Sequence, residues 1–386
     1  MGDSKQNRGE RTAGSLRFFS DRRFQADRIM RLKTALALAL LAGSALAGDP
    51  APDAIQGNWI GTWEGQGGMG GKNVAQIYGL GSGEYQAIFT AYDSGEQDKG
   101  EFTFGIRGSS QTEDKVVFEQ NIDLGFLGMF TFHAEVEKGK LTGKYSNGKE
   151  YEGTMELKKV VPVSETVGIK PLPGAIVLFD GRALDHWTVL RGQPNEWRII
   201  DGALVAPSGD APLPERAGHL ASRETFQHAQ IHVEFRVPYL PEKRGKERGK
   251  GGIYLAGRYE LQIVDSFGFP RIKDAQGYYA DKDALGAILG QYAPAEQPAF
   301  PPGEWQAFDI TYHEATLDEQ GTVVKPAEVT VRLNGETVQD RVELKKPTQH
   351  APIQDRHGDA GLIIEHTGQP VEYRNIWFVP LNAGSN

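Results

Sequence analysis

Residues 251–268 read GGIYLAGRYELQIVDSFG, and the alternation in this stretch decides the fold class. It reads as two short strands about Ala256-Gly257. Successive side chains on a strand point to opposite faces, so Tyr259, Leu261 and Ile263 fall on one side and Arg258, Glu260 and Gln262 on the other. The first face is apolar. The second carries a guanidinium, a carboxylate and an amide, with Asp265 where the strand gives way to a loop. Such a strand is either half-solvated in the ordinary way of antiparallel sheets or the floor of a site that grips a ligand rich in hydroxyls.

Working outward, the same period of two recurs. IHVEFRV (231–237) places Ile231, Val233, Phe235 and Val237 on a buried side and His232, Glu234 and Arg236 on the other. EWQAFDITYH (304–313), EVTVRLNGETVQD (328–340) and AGLIIEHTGQPVEYRNIWFVPL (360–381) continue it, and Asp180-Gly181, Asp201-Gly202 and Asn334-Gly335 are turn dipeptides. PEKRGKERGKGG (241–252) reads as a solvated basic loop. Residues 269–302 have little strand character and the length of a lid or rim. Upstream, eight alternating runs from NWIGTWEG to YEGTMELKKV fill residues 55–160, with Asn147-Gly148 as a two-residue hairpin turn. The Gly-rich GQGGMGGK (65–72) lacks both the spacing and the following helix of a phosphate loop. Residues 161–174, VPVSETVGIKPLPG, hold three prolines and no period, and so form a linker. The expected fold is all-β: a jelly-roll sandwich over 175–382, preceded by a smaller antiparallel β-barrel or sandwich.

The chain has 386 residues, no cysteine and a formal charge of −9. Its first 47 residues carry nine Lys/Arg against four Asp/Glu, leaving 33 against 47, or −14, for the body. A body so acidic repels nucleic acid and anionic membrane surfaces. MRLKTALALALLAGSALA (30–47) has the basic start, apolar middle and small-x-small end of a secretory signal cleaved near Ala47. It is shorter than the roughly 20 apolar residues of a membrane span. Residues 1–29 read as a disordered leader or a mis-called gene start, and the mature protein as secreted or periplasmic.

LFDGRALDHW, GALV, HVEFRVP, GGIYLAGRYELQIVDSFG, FPPGEWQAFDITY, VRLNGETVQD and EHTGQPVEYRNIWFVPL, in this order from about Ala175 to Leu381, resemble the 3-keto-disaccharide hydrolase family, whose fold is a concanavalin-like jelly roll. Lys250-Gly251-Gly252 and Ile364-Glu365-His366 stand where members commonly have Asn-Ser-Gly and Gln-Asp-His. The resemblance implies a small-molecule sugar substrate oxidised to a ketone at C3. The ketone acidifies the C2 hydrogen, so a base forms an enolate that expels the C1 substituent, and water addition makes the net reaction a hydrolysis. This chemistry needs a base near C2, a donor for the enolate oxygen and an acid for the leaving group. Glu260 and His366 are expected to divide the roles of base and acid between them, in either order, with Asp265 as a third catalytic residue. Gln262, Arg258, Tyr254, Glu234, Arg236, Glu365 and Arg374 are expected to bind the sugar. His219 and His228 read as surface residues.

A non-catalytic carbohydrate-binding jelly roll would use the same polar faces, open as a groove, without a base. A glucanase is disfavoured, because Glu260-Leu-Gln-Ile-Val-Asp265 has an amide where paired-carboxylate chemistry wants an acid. The sequence requires no cofactor. Glu365 and His366 with Glu260 or Asp265 would offer ligands to a divalent cation, with no motif compelling one.

Overall fold

The computed structural model describes residues 53–92, 102–125, 128–190, 196–209, 218–268, 281–355, 357–358 and 360–382. The expected leader, the signal segment and residues 269–280 of the expected lid lie outside the described residues. The described chain is all-β, and its helical segments are three-residue 3-10 turns.

Eight strands come first: β1 (Gly57–Gly65), β2 (Gly70–Gly81), β3 (Glu84–Ala91), β4 (Phe102–Thr112), β5 (Lys115–Asp123), β6 (Met129–Glu137), β7 (Lys140–Ser146) and β8 (Glu152–Val160). Each pairs antiparallel with its neighbour and β8 returns to β1, closing a barrel. Closure removes both sheet edges, and the inward positions, among them Trp59, Ile77, Phe89, Phe104, Phe118, Phe132 and Leu157, form one apolar core. The β7–β8 connection is five residues long rather than the expected two. The Asn147 carboxamide oxygen accepts the backbone N–H groups of Lys149, Glu150 and Tyr151, which rewards the longer loop.

A two-sheet jelly-roll sandwich follows. One sheet has the order β10 (Trp187–Val189), β13 (Leu220–Ser222), β22 (Ile363–Ile364), β15 (Gly251–Leu255), β16 (Tyr259–Ile263). The other runs β11 (Arg198–Ile200), β12 (Ala203–Val205), β23 (Glu372–Pro380), β14 (His228–Arg236), β17 (Gln306–His313), β20 (Ala327–Leu333), β21 (Glu336–Leu344), with β9 (Ile176–Phe179) also pairing β23. A small hairpin, β18 (Thr316–Leu317) and β19 (Val323–Lys325), stands apart. Ile231, Val233 and Phe235 from one sheet meet Ile253, Leu255, Tyr259, Leu261 and Ile263 from the other in the main core. Burial of this apolar surface, at roughly 25 cal/mol per Å², is what holds the sheets together. Ala256 (φ 49°) and Gly257 (φ 63°) take the left-handed conformation that turns β15 into β16. Glu260 and Gln262 therefore project from the outer face of the first sheet.

The basic loop is not simply solvated. Arg248 is 1% exposed; its guanidinium grips Asp265 Oδ2 through Nε (3.0 Å) and Nη2 (2.7 Å) and donates from Nη1 to the Gly79 carbonyl of the barrel (3.0 Å). The ring of Tyr78 lies against it. Arg244 likewise donates to the Leu80 carbonyl, and Glu242 accepts the Ser82 N–H (2.8 Å). The charged loop thus seals the β2–β3 corner of the barrel against the sandwich.

Candidate active site

Register brings the outer-face residues together. β15 pairs β16 with Gly252 opposite Gln262 and Tyr254 opposite Glu260. On its other edge β15 meets β22, and the pairing extends to Glu365, whose N–H donates to the Gly252 carbonyl (2.9 Å). Glu260 and Glu365 consequently flank Gly252 from both sides. A Cβ on Gly252 would stand 3.0 Å from Glu365 Oε2 and 3.1 Å from Glu260 Oε1, so the glycine makes room for the two carboxyl groups. The Glu260 backbone is held by the Thr348 hydroxyl (3.0 Å).

The Tyr254 hydroxyl is within hydrogen-bonding range of both carboxyl groups. Burial, and then the negative charge of Glu365, push the Glu260 carboxyl well above its ordinary range, against the pull of Tyr254, Lys250 and Lys246. Burial also raises Glu365, against Lys250, His350 and Tyr254. Two carboxyl groups so close and so desolvated cannot both ionise easily, and the pair tends to share one proton. Glu260 lies at the bottom with 1% exposure, and the Glu365 and Lys250 side chains above it keep 12% and 33%. Glu260 Oε1, Glu365 Oε2 and both amide atoms of Gln262 are buried without a hydrogen-bond partner. Each such orphan costs about 1–3 kcal/mol, and together they describe a site shaped for polar groups of a ligand.

The structure gathers Glu260, Gln262, Tyr254 and Glu365, and separates the other expected site residues from them. His366 follows Glu365 in extended chain and turns the other way: its ring lies edge-on to Trp197 at 6.4 Å and against Gly218. The partner of Glu260 is therefore Glu365, where His366 was expected. Asp265 is spent in the buried Arg248 pair, with its other oxygen accepting the Phe267 N–H (3.1 Å). Arg258 leans over the Tyr259 ring and toward His357, beside Glu314, on the far side of the turn.

Glu234, Arg236 and Arg374 lie on the outer face of the second sheet, across the core from Glu260. Glu234 accepts from Arg374 (2.7 Å), Asn375 (2.7 Å) and the Gly168 N–H of the linker (2.7 Å), while Asn375 also donates to the Ile169 carbonyl. Burial opposes ionisation of Glu234, but hydrogen bonds from His232, Asn375, Arg374 and Gly168 outweigh it and bring the carboxyl down to about 2. Arg236 pairs with Glu372 (2.6 Å), and Arg236 and Arg374 both cover Trp305. This face is a clasp for the linker. The alternation of IHVEFRV was legible, yet the polar side it predicted is covered by chain instead of open as a groove.

Sequence reasoning missed His219. It is 5% exposed, stacks on Tyr254 (6.1 Å) and accepts the His366 N–H at Nδ1 (3.1 Å), which leaves the proton of the neutral ring on Nε2. No local pattern marks it, since it sits between the site and the apolar β13. The ligands that would have met a divalent cation do not converge either, because His366 and Asp265 face elsewhere. Among the described residues no group of three or more His, Asp or Glu side chains is arranged to hold a metal ion.

Residues 174–379 match the family described as the 3-keto-alpha-glucoside-1,2-lyase-like domain. A comparison with curated proteins returned no match. Among solved structures, a provisionally assigned glycosyl hydrolase from Parabacteroides distasonis ATCC 8503 is 29% identical over 58% of this chain and 93% of its own, with a TM-score of 0.46. A second from the same organism is 18% identical over 54% and 95%, with a TM-score of 0.40.

Proposed function

Because the chain belongs to the 3-keto-alpha-glucoside-1,2-lyase-like family, we propose that it is an enzyme that cleaves 3-keto-glycosides or 3-keto-disaccharides, acting outside the cytoplasm once the 30–47 signal is removed. The observation that carries the reading is the pair of buried carboxyl groups, Glu260 and Glu365, meeting over Gly252 and sharing the Tyr254 hydroxyl.

A pair of carboxyl groups with one member ionised and the other protonated supplies the two functions the reaction needs. The ionised member takes the C2 hydrogen; the C2–H electron pair moves into a C2–C3 double bond and the carbonyl electrons onto the C3 oxygen. Collapse of this enolate forms a C1–C2 double bond and breaks the bond from C1 to the glycosidic oxygen. The protonated member gives its proton to that oxygen as it leaves. Water adding to C1 completes a net hydrolysis; release of the enone would make the reaction a lyase. A base with its affinity raised toward neutrality is suited to a weakly acidic C–H. The orphaned Gln262 amide, with two N–H donors and a carbonyl acceptor, is suited to the sugar's oxygens.

The test is incubation with 3-keto-trehalose or a 3-keto-glucoside, beside the unoxidised sugar. Glucose or aglycone should be released from the keto sugar alone, and Glu260→Gln should abolish release while leaving binding measurable. Binding of both sugars without turnover would overturn the enzyme reading in favour of a carbohydrate-binding module. Turnover that survives Glu260→Gln would overturn the assignment of the site.

A further inference from the structure

We infer that Lys250 is the group that takes up the negative charge on the substrate's carbonyl oxygen as the C2 proton leaves. This rests on the reaction proposed above and adds a participant to it. The ionised carboxylate repels an enolate oxygen, the protonated one is committed to the leaving group, and an amide such as Gln262 offers only a neutral dipole. The step needs a cation or strong donor beside the pair.

The basic run 244–250 supplies cations to this side of the sandwich, and nearly all are committed elsewhere. Arg244 is tied to the barrel at the Leu80 carbonyl. Lys246 is paired with Asp283 at 2.8 Å. Arg248 is consumed by Asp265 and Gly79. Lys250 is different. Its backbone is clamped at both polar atoms: the N–H donates to Gln369 Oε1 (2.8 Å) and the carbonyl accepts the Thr367 hydroxyl (2.7 Å). The side chain therefore starts from a fixed point two residues before Gly252. Its ammonium stands 3.9 Å from Glu365 Oε1, close enough to feel the carboxylate and too far to hydrogen-bond it. With a third of the side chain still exposed, the three N–H donors are available to a ligand entering above Glu260.

In the step this assigns, the C2–H bond breaks toward the carboxylate and the charge that accumulates on the C3 oxygen is met by the Lys250 ammonium. When the enolate collapses and the C1–O bond breaks, that charge returns to the carbon framework and the lysine is left as it began. No proton needs to leave Lys250.

The experiment follows cleavage of a 3-keto-glycoside in D2O together with solvent exchange of the C2 hydrogen in recovered substrate, for wild type, Lys250→Gln and Lys250→Arg. Loss of one well-placed oxyanion donor lowers kcat by about 100- to 1,000-fold. The expected result for Lys250→Gln is a fall of that order in both kcat and exchange, with KM within a few-fold, unchanged thermal unfolding and partial recovery in Lys250→Arg. A fall in exchange that persists at every pH separates stabilisation of the enolate from mere tuning of the carboxyl pair. The inference is overturned if Lys250→Gln keeps wild-type kcat and exchange, loses only affinity, or regains full kcat when the pH is raised. If wild type itself neither exchanges nor cleaves the keto sugar, the reaction falls first and the role of Lys250 with it.

Discussion

Gly252→Ala separates catalysis from stability at a single methyl group. The added Cβ would sit 3.0 Å from Glu365 Oε2, 3.1 Å from Glu260 Oε1 and 3.2 Å from Glu260 Cγ. Ordinary contact begins near 3.4 Å, so both carboxyl groups must withdraw by a few tenths of an ångström. They are the ends of flexible side chains and can do so. Crowding of this kind costs on the order of 1 kcal/mol, and replacing glycine within a strand returns about 0.5–1 kcal/mol. Net stability should thus stay within about 1 kcal/mol of wild type. Catalysis tolerates misplacement far less, since errors approaching 1 Å cost about 100-fold. The expected loss in kcat/KM on a 3-keto-glycoside is about 10- to 100-fold. The neighbouring Gly251→Ala is the control: its Cβ points inward, 2.9 Å from the Tyr373 hydroxyl and 3.3 Å from Val371, so its effect should fall on the urea midpoint. Gly252→Ala with activity within twofold of wild type would refute the placement of the chemistry. A variant that fails to fold would show that the glycine serves the sheet instead.

Arg248→Met strands Asp265 as a buried unpaired acid and should cost about 3–5 kcal/mol in urea unfolding; a loss under about 1 kcal/mol would show that the pair does not bind loop to barrel. Glu234 has its folded pKa lowered to about 2 from 4.5, so its stabilising contribution is present above pH 4.5 and is lost as pH falls toward 2. That contribution is about 3 kcal/mol, and Glu234→Gln should flatten the acid limb of the stability curve relative to wild type. Glu365 is shifted the other way by burial. Its penalty is absent below the unfolded pKa and grows as pH rises through the folded one, so Glu365→Gln should raise Tm more at pH 8 than at pH 5. An equal rise at both would exclude the titration as the cause.

The polar residues divide by how far their partners lie along the chain. Alternation alone places Tyr259, Leu261 and Ile263 on one face and Glu260 and Gln262 on the other, and the structure agrees, because facing is a property of a strand's own backbone. The turns at Ala256-Gly257 and Asn334-Gly335 were equally local. At Asn147 the local signal failed, where a side chain capping three amides outweighed the dipeptide preference.

The all-β fold, its runs of strands and the two faces of β14 and β16 follow from alternation along the chain. Which polar face became a site was decided only by the tertiary structure. Glu234 met Arg374, Asn375 and the linker and was neutralised in place. Asp265 met Arg248, while Glu260 met a second acid across Gly252. A carboxylate's character depends on the charge and water within a few ångströms of it, and those surroundings come from strands brought alongside by the fold, up to 141 residues away in the case of Glu234 and Asn375.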